Sequence, residues 1–293
     1  MPYIPYTQTH DYFETKVQEG HELVELGSAQ QTRKLVLIKE PIVLKNIRLP
    51  LFYKLRSDGL DLEDYARCSD VLDGLAALVK RVRCARALIV ANPVEKRERF
   101  PQFKNTLYTY LLDLEKNEIV DEDDYLASLN PKVRNQVRRA NKQQLEFLEL
   151  EVENGLADYV RLRQKCRSEN GLAPLEHGLL EMQLRGMPNS VRIFLVKKDG
   201  QALCGQIVQH GVNVFTLVGV CTSKIAYENK LNVNELMQHK IVNLAIKEGV
   251  KFVDWVGANP ASKDSKLIAI DKFKRKWGGE LTELPCILKG YSR

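Results

Sequence analysis

Hydrophobic and polar positions alternate along short stretches of the chain, and other stretches repeat hydrophobic positions every three or four residues. The first pattern is typical of strands that bury one face, and the second is typical of amphipathic helices. In the first third of the sequence these patterns predict a helix at 69–82 and strands at 34–38, 42–47, 85–91 and 107–114. We therefore expect a mixed lobe of strands and helix there.

The character of the sequence changes at residues 121–124, which are acidic and polar. Asn130 and Pro131 then form the pair expected at a helix N-cap and first helical position, so we predict a basic helix over 131–144. The elements predicted next are helices at 157–168 and 175–184, and strands at 145–152, 191–197, 203–210 and 214–220. The interpretation is an α+β layered fold with two lobes, at 1–120 and 121–293.

Composition narrows the class of protein. The chain has 293 residues, of which 44% are hydrophobic and 28% charged, the balance of a soluble globular protein. The first thirty residues lack the basic patch and apolar stretch of a secretory signal, and no run of about 18 apolar residues follows. We therefore expect a cytoplasmic protein without a membrane span.

Cysteine and histidine spacings bear on metal and redox sites. The six cysteines form no C-x-x-C pair and the five histidines show no H-x-x-x-H spacing, so we expect no metal site. Neither the nucleophile motif G-x-S-x-G nor the phosphate-loop motif G-x-x-x-x-G-K-[ST] occurs. The net charge of +6 suits an anionic small substrate or a nucleic acid and does not choose between them.

The segment 265–279 carries the sharpest helical pattern. Its apolar residues fall on one face at helical spacing, and two glycines then end the helix; the face consists of Leu267, Ile270, Phe273 and Trp277. Lys274 lies on the same face. Because an unpaired buried ammonium is very costly, this lysine either extends its charged end to water or meets a partner in a cleft. Both interpretations stay open.

The basic helix aligns three cations along one side, because Arg134, Arg138 and Lys142 recur at every fourth position. This arrangement would suit phosphate groups, which an arginine can bind through two hydrogen bonds. A solvated charged face is the alternative interpretation.

Two further features concern an acid and a loop. Asp254 stands in an apolar strand that ends at Gly257, where it either faces a substrate cleft as a proton acceptor or pairs with a local partner. The connection 221–235, with Tyr227 and Asn234, leads into a helix whose N-terminus could hold an anion. It contains no glycine, so a donor bound there would be held through side chains.

Four motifs, taken in order, support a family resemblance. Residues 130–142 read N-P-K-V-R-N-Q-V-R-R-A-N-K and follow a predicted strand at 109–114. Residues 245–249 read A-I-K-E-G, with Asp254 and Gly257 beyond them, and 273–278 read F-K-R-K-W-G. These segments resemble the K-x-R-x-x-[IV]-[RK]-[RK]-A-x-[RK] helix, the A-x-x-x-G then D-x-x-G run and the F-K-x-x-[FW]-G motif of the Fem-type aminoacyltransferases, a branch of the GNAT acyltransferases.

The resemblance covers about residues 105–290 and implies a fold, an activity and a set of roles. The fold would be two GNAT-like lobes with the first one shortened, and the activity would be N-acyl or aminoacyl transfer. Lys274 would lie near the negative charge that develops during acyl transfer, with Asp254 as the second catalytic candidate. The expected substrate-binding residues are Arg134, Arg138, Tyr227, Asn234, Phe273 and Trp277.

The same resemblance implies ligands. The acyl donor would be acyl-CoA or aminoacyl-tRNA, and the acceptor would be a phosphate-bearing amine of a cell-envelope or polysaccharide precursor. No long heptad segment of the kind that binds tRNA in some members interrupts the second lobe, so tRNA stays an open candidate partner. The alternatives are an acyl-CoA-dependent N-acetyltransferase of small molecules and a non-catalytic module that binds RNA or anions.

Overall fold

The structure is a computed structural model that describes residues 16–17, 22–26, 35–44, 47–60, 84–91, 105–174, 177–187 and 189–290. The chain divides into two units. One consists of residues 109–281 with the first two residues, and the other consists of residues 3–108 with residues 282–293.

Apart from the helical residues 16–17, the described part of the unit formed by 3–108 and 282–293 is a sheet. Its strands are β1 (Glu22–Leu26), β2 (Leu35–Leu44), β3 (Ile47–Leu60), β4 (Cys84–Ala91) and the end of β11 (Glu280–Gly290). The pairs β1–β2, β2–β3 and β4–β11 are antiparallel, whereas β3 and β4 run parallel. The strand predicted at 85–91 is confirmed. Residues 35–38 and 42–44 of the two other predicted strands belong to one strand, β2, whose register shifts between Pro41 and Val43, whereas Ile47 begins β3. The helix predicted at 69–82 lies outside the described residues.

The other unit alternates helices and strands. Its strands are β5 (Asn105–Asp113), β6 (Glu146–Leu150), β7 (Val191–Lys198), β8 (Gln201–Gly211), β9 (Val214–Thr222) and β10 (Phe252–Asp254). Its helices are α1 (Glu122–Ser128), α2 (Pro131–Ala140), α3 (Val152–Glu169), α4 (His177–Arg185), α5 (Lys224–Glu228), α6 (Val233–Lys247) and α7 (Ser265–Arg275). The order β5-β10-β9-β8-β7-β6 gives a mixed sheet whose only parallel pair, among the pairings that the structure describes in this unit, is β9–β10.

The parallel pair creates the space for a site. Strand β10 pairs with β9 at three positions, ending where Asp254 faces Thr216. Because β10 stops there while β9 continues to Thr222, the last six residues of β9 have no strand partner on that side. The end of β9 and the segment that follows β10 then line opposite sides of a cleft.

The predicted start of the basic helix is confirmed. The Asn130 side chain accepts a hydrogen bond from the Lys132 amide at 2.9 Å, and Pro131 occupies the first helical position. The helix ends at Ala140 rather than at 144, because the chain turns at 141–144 and Gln144 takes a left-handed conformation with φ of 54°. No helix in the described ranges is long and apolar enough to cross a bilayer.

Trp277 lies in the core of this unit. Its side chain is fully buried, together with Tyr110, Tyr125, Phe194 and Phe215, in the cluster that joins the sheet to α1, α2 and α6. Burying a residue of this size removes a large apolar area from water, so Trp277 belongs to the residues that hold the fold together.

Candidate active site

The cleft has a volume of about 710 Å³ and lies between the end of β9 and the chain that leaves β10. Helices α3 and α7 and the start of α6 supply its remaining walls. All of its lining residues belong to the unit of residues 109–281. Each of the two strand walls departs from regular geometry at a residue with positive φ.

The first wall is a bulge in β9. Gly205 pairs with Cys221 and Ile207 with Val218, so β9 has one more residue than β8 over this interval. Gly219 sits in the bulge with φ of 64°. Its carbonyl accepts a hydrogen bond from the Tyr159 hydroxyl at 2.5 Å. A Cβ at this position would overlap that hydroxyl, so both conformation and space require glycine.

Two side chains of α3 fix this bulge from one side. Arg163 donates to the Tyr159 hydroxyl at 2.6 Å, and its guanidinium also lines the cleft. Burial raises the pKa of Tyr159, so the phenol stays neutral while it holds the Gly219 carbonyl.

The second wall is the turn that follows β10. Val256 and Gly257 have φ values of 32° and 58°, and a left-handed conformation is unfavourable for a β-branched residue. Asp254, whose side chain is 4% exposed, holds the turn from behind. Its carboxylate accepts the Val256 amide at 2.8 Å and the Thr109 hydroxyl.

Lys274 holds the same turn from the front. Its ammonium group donates to the backbone carbonyls of Val256 and Gly257, so this lysine meets partners in a cleft rather than only extending to water. Desolvation by burial lowers the pKa of Lys274, while the nearby carboxylates of Asp271 and Asp254 oppose that change. Since an ammonium carries three protons, one is left for a ligand in the cleft.

A chain of polar side chains forms the base of the cleft. The Trp255 indole donates to Gln238 at 2.7 Å, Gln238 donates to Gln206 at 3.3 Å, and Gln206 donates to the Val218 carbonyl. The three side chains and Val218 all line the cleft. Because every link is hydrogen-bonded, this buried chain fixes the distance between the two strand walls.

The cleft is positively charged. Four cationic side chains line it, and within the described part of the chain no Asp or Glu does; the cations are Arg163, Arg167, Lys266 and Lys274. Arg167 also donates to the Ala173 carbonyl at 2.7 Å, which orients its guanidinium. Such a lining favours an anionic ligand.

Comparison with known proteins identifies the type of domain that carries this cleft. Residues 131–275 match the family described as the acetyltransferase (GNAT) domain. Residues 131–275 have the fold of a GNAT domain. The predicted α+β GNAT fold is therefore confirmed for this part of the chain. No curated protein sequence matches the chain significantly.

Solved structures extend the likeness of fold. FemX is 15% identical and has a TM-score of 0.74 over 97% of this chain and 92% of its own. The C-terminal domain of a protein assigned as a lysylphosphatidylglycerol synthetase, from Agrobacterium fabrum, is 12% identical, with a TM-score of 0.63 over 99% and 89%. A tandem GNAT protein from the clavulanic acid biosynthesis pathway is 12% identical, with a TM-score of 0.51 over 97% and 89%. At these identities the likeness establishes a Fem-like GNAT fold.

In the connection between β9 and α6 of this GNAT domain, several backbone amides donate to other parts of the protein. The Lys224 amide donates to a Glu169 carboxylate oxygen at 3.1 Å, the Ala226 amide to the Ser223 hydroxyl at 3.3 Å, and the Asn232 amide to Gln143 at 2.8 Å. A pyrophosphate cradle needs backbone amides free to point at the ligand. Three of the amides here already have protein acceptors.

An acid also stands at the start of α6. Glu235 lies in its first turn and pairs with Lys276 at 2.8 Å. A carboxylate at this place competes with a bound anion for the positive end of the helix.

The structure brings together only part of the set of residues named from the sequence. Those that line the cleft are Lys274, Phe273, Tyr227 and Asn234. Asp254 lies directly behind the cleft wall, bonded to Val256. Trp277 does not line the cleft, because α7 ends at Arg275 and the chain then turns into the core.

The two arginines of the basic helix also lie outside the cleft lining. Arg134 donates to the carbonyls of Ala127 and Leu129 at 2.9 and 2.6 Å, so it caps the end of α1. Arg138 lies 3.4 Å from the side-chain oxygen of Asn135 on its own helix. Neither arginine contributes to the charged lining of the cleft.

Sequence reasoning missed the cations of α3. Arg163 and Arg167 stand four residues apart, and that spacing is the signal that places both on one face of a helix. Nothing in the sequence indicates which element this face meets. The polar chain of Gln206, Gln238 and Trp255 had no signal, since its members are far apart in sequence.

Proposed function

We propose that this GNAT domain transfers an acyl or aminoacyl group from a carrier other than CoA to the amine of a phosphate-bearing cell-envelope precursor, forming an amide. The observation that carries the proposal is the Lys274 ammonium, held by two backbone carbonyls at the edge of a cleft with no acid in its described lining. A positive charge fixed in this way stabilises an oxyanion.

The proposed reaction needs little from the protein beyond this charge. The acceptor nitrogen attacks the donor carbonyl carbon, and the carbonyl oxygen becomes an oxyanion that receives the third proton of Lys274 as a hydrogen bond. When the tetrahedral intermediate collapses, the bond to the carrier oxygen breaks, and that oxygen takes up the proton released by the amine. Since no described Asp or Glu lines the cleft, we assign this proton transfer to the substrates themselves.

Asp254 acts in this proposal as a positioning residue. Its carboxylate is already bonded to the Val256 amide and the Thr109 hydroxyl, behind the wall. It therefore keeps in place the two carbonyls that orient Lys274. Its negative charge also favours the protonated form of the lysine.

The choice of carrier follows from the hydrogen-bonded amides in the connection before α6. In this connection the Lys224, Ala226 and Asn232 amides already donate to Glu169, Ser223 and Gln143, which leaves fewer backbone amides for the pyrophosphate of an acyl-CoA. We therefore favour aminoacyl-tRNA, because its ester carries no pyrophosphate that has to bind at that helix. The description of the matching family as acetyltransferase keeps acyl-CoA as the second candidate.

The choice of acceptor follows from charge and from likeness. Arg163, Arg167 and Lys266 would bind phosphate groups on the acceptor. FemX and the protein assigned as a lysylphosphatidylglycerol synthetase, which share the fold, suggest a cell-envelope acceptor. Peptidoglycan precursors and aminophospholipids are the two acceptor classes to test first.

A thermal-shift comparison tests the donor. Wild type and Lys274→Met are incubated with acyl-CoAs, aminoacyl-tRNA and nucleotide-linked amino sugars, because a ligand that binds only the native state raises its stability. We expect shifts with aminoacyl-tRNA and with the amino sugars, followed by amide formation when the two are combined with wild type. A shift and transfer with acetyl-CoA alone would make the domain a small-molecule N-acetyltransferase. RNA binding without transfer to any acceptor would favour the non-catalytic module.

A further inference from the structure

A second recess lies on the other side of α7, away from the cleft. It has a volume of about 570 Å³ and is formed by the start of α2 and the end of α7. We call it the basic groove and define it by Lys132, Gln136, Lys272, Arg275 and Lys276. It shares no lining residue with the cleft, and in the described part of the chain no carboxylate lines it.

Two of the four cations in the basic groove are anchored by the protein. Lys276 pairs with Glu235 and lies 4.8 Å from the centre of the Phe273 ring, which fixes its position. Arg275 reaches the Tyr110 hydroxyl at 3.4 Å, which orients its guanidinium.

The other two cations have no partner among the described residues. The side chains of Lys132 and Lys272 make no hydrogen bond or ion pair with any residue that the structure describes, and both are exposed. One comes from α2 and the other from α7, so they face the same recess from opposite walls. A concave surface with cations on both walls concentrates the positive potential more than a flat charged face does.

Helix α7 separates the two recesses by its own periodicity. Lys266, Ile270, Phe273 and Lys274 line the cleft, whereas Lys272, Arg275 and Lys276 line the basic groove. A ligand long enough to cross this helix would therefore touch the groove with one part and Lys274 with another. The helix is only about 10 Å across with its side chains, so a few linked groups can span it.

We propose that the basic groove is a second anion site, which binds phosphate groups of a substrate whose reactive end lies in the cleft. Phosphate oxygens are the ligand chemistry that matches lysines and an arginine on facing walls. The phosphates can belong to an RNA strand or to the pyrophosphate of a nucleotide. The placement of a reactive end in the cleft rests on the proposed function, whereas anion binding by the groove does not depend on the transfer reaction.

The test compares two charge-matched double variants. Lys132→Gln with Lys272→Gln removes the unpartnered cations of the groove, and Lys247→Gln with Lys263→Gln removes two exposed lysines elsewhere in the same unit. Binding of a labelled single-stranded RNA of about 12 nucleotides is followed by fluorescence anisotropy from about 50 to 200 mM salt. Binding of UDP is followed by calorimetry. Unchanged melting curves establish that all variants are folded.

We expect the groove variant to bind one of these probes at least about tenfold more weakly than wild type, and the control variant to bind it as wild type does. With RNA, the slope of log affinity against log salt should fall by about 1.4, since each phosphate contact to a single strand contributes about 0.7. Loss of RNA binding alone assigns the groove to a nucleic-acid strand, and loss of UDP binding alone assigns it to a pyrophosphate.

Equal losses in the groove and control variants, or no loss in either, would overturn the proposal, because the groove would then be an ordinary solvated surface. If wild type binds the probe through the groove but transfers no acyl group, the proposed function fails while the anion site stands.

Discussion

The two strand walls of the cleft solve the same problem in different ways. Each must turn the backbone into the left-handed region, at Gly219 in β9 and at Val256 after β10. The first wall uses a glycine, for which this conformation carries no steric penalty, and a neutral phenol holds its carbonyl. The second uses a valine, for which it is strained, with a carboxylate on one side and an ammonium on the other.

The difference indicates which wall carries the chemistry. Strained backbone persists only where the surroundings hold it in place, and it is found most often at functional sites. The glycine wall gives the cleft its shape at low conformational cost. The valine wall depends on Asp254 and Lys274 for its geometry. Among the cationic groups of the described cleft, Lys274 is the one that is bonded to this strained turn.

Replacing Lys274, which holds the second wall, should have the largest effect on the rate of acyl transfer. In Lys274→Met the apolar stem is kept but the charge is lost, so acyl transfer should slow by about 100-fold to 1000-fold, the cost of removing one oxyanion donor. Single-turnover kinetics measure this directly. Lys263→Met, at an exposed site outside the cleft, is the matched control and should keep full activity. Equal rates in the two variants would remove Lys274 from the mechanism.

Gly219→Ala should test the shape-giving wall. The new Cβ meets the Tyr159 hydroxyl and lies 2.8 Å from Arg163, so we expect about 3 kcal/mol of lost stability. Gly200→Ala is a matched control, since Gly200 also has positive φ, at 76°, but has nothing within 4 Å of the added Cβ. It should lose only about 1 kcal/mol. Similar urea midpoints for both variants would mean that the Tyr159 contact adds nothing.

Asp254→Ala should loosen the strained wall. The buried Val256 amide and Thr109 hydroxyl lose their acceptor, which should cost about 2 kcal/mol of stability. Asp254→Asn keeps an oxygen for the amide, so it should restore most of the stability and most of the turnover. A general base would behave differently, because Asn would then be as inactive as Ala. The KM and kcat of the two variants decide between a positioning and a proton-accepting role.

The pH dependence of turnover should also show which of the two walls carries a group that titrates. Burial lowers the pKa of Lys274 from the ordinary 10.5, so this group loses its proton at a lower pH than an exposed lysine does. Since the protonated form is the active one in our proposal, the rate should fall about tenfold for each pH unit above that pKa. Burial raises the pKa of Tyr159, so the other wall should not titrate in this range. An alkaline limb that persists unchanged in Lys274→Met would belong to another group.

The fold was largely predictable from local signals, and the site was only partly so. Asn130 and Pro131 fix the start of α2, and the spacing of Leu267, Ile270 and Phe273 indicates α7. Trp277 shares that spacing, but the helix ends two residues before it, so periodicity assigned a core residue to the ligand face. A helix end depends on a few backbone hydrogen bonds that a periodic pattern does not record.

The charged lining of the cleft was missed for a different reason. Arg163 on α3 and Lys274 on α7 line the same cleft because the strands between them are ordered as β10, β9 and β8, and a single sequence contains no signal for that order. Arg134 shows the converse case, in which a sequence pattern suggested a ligand and the side chain binds the protein's own backbone. It follows the expected basic pattern, but its hydrogen bonds go to the last carbonyls of α1 and serve the fold.

The hydrogen-bonded amides before α6 have a consequence for the entropy of binding. Glu169, Ser223 and Gln143 order this connection in the free protein, so no ligand has to immobilise it. Fixing the backbone of one residue costs about 1–2 kcal/mol, and a loop that closes only around its ligand loses that amount from its affinity. Here the cost falls on folding, and a substrate enters a cleft with one rim already rigid.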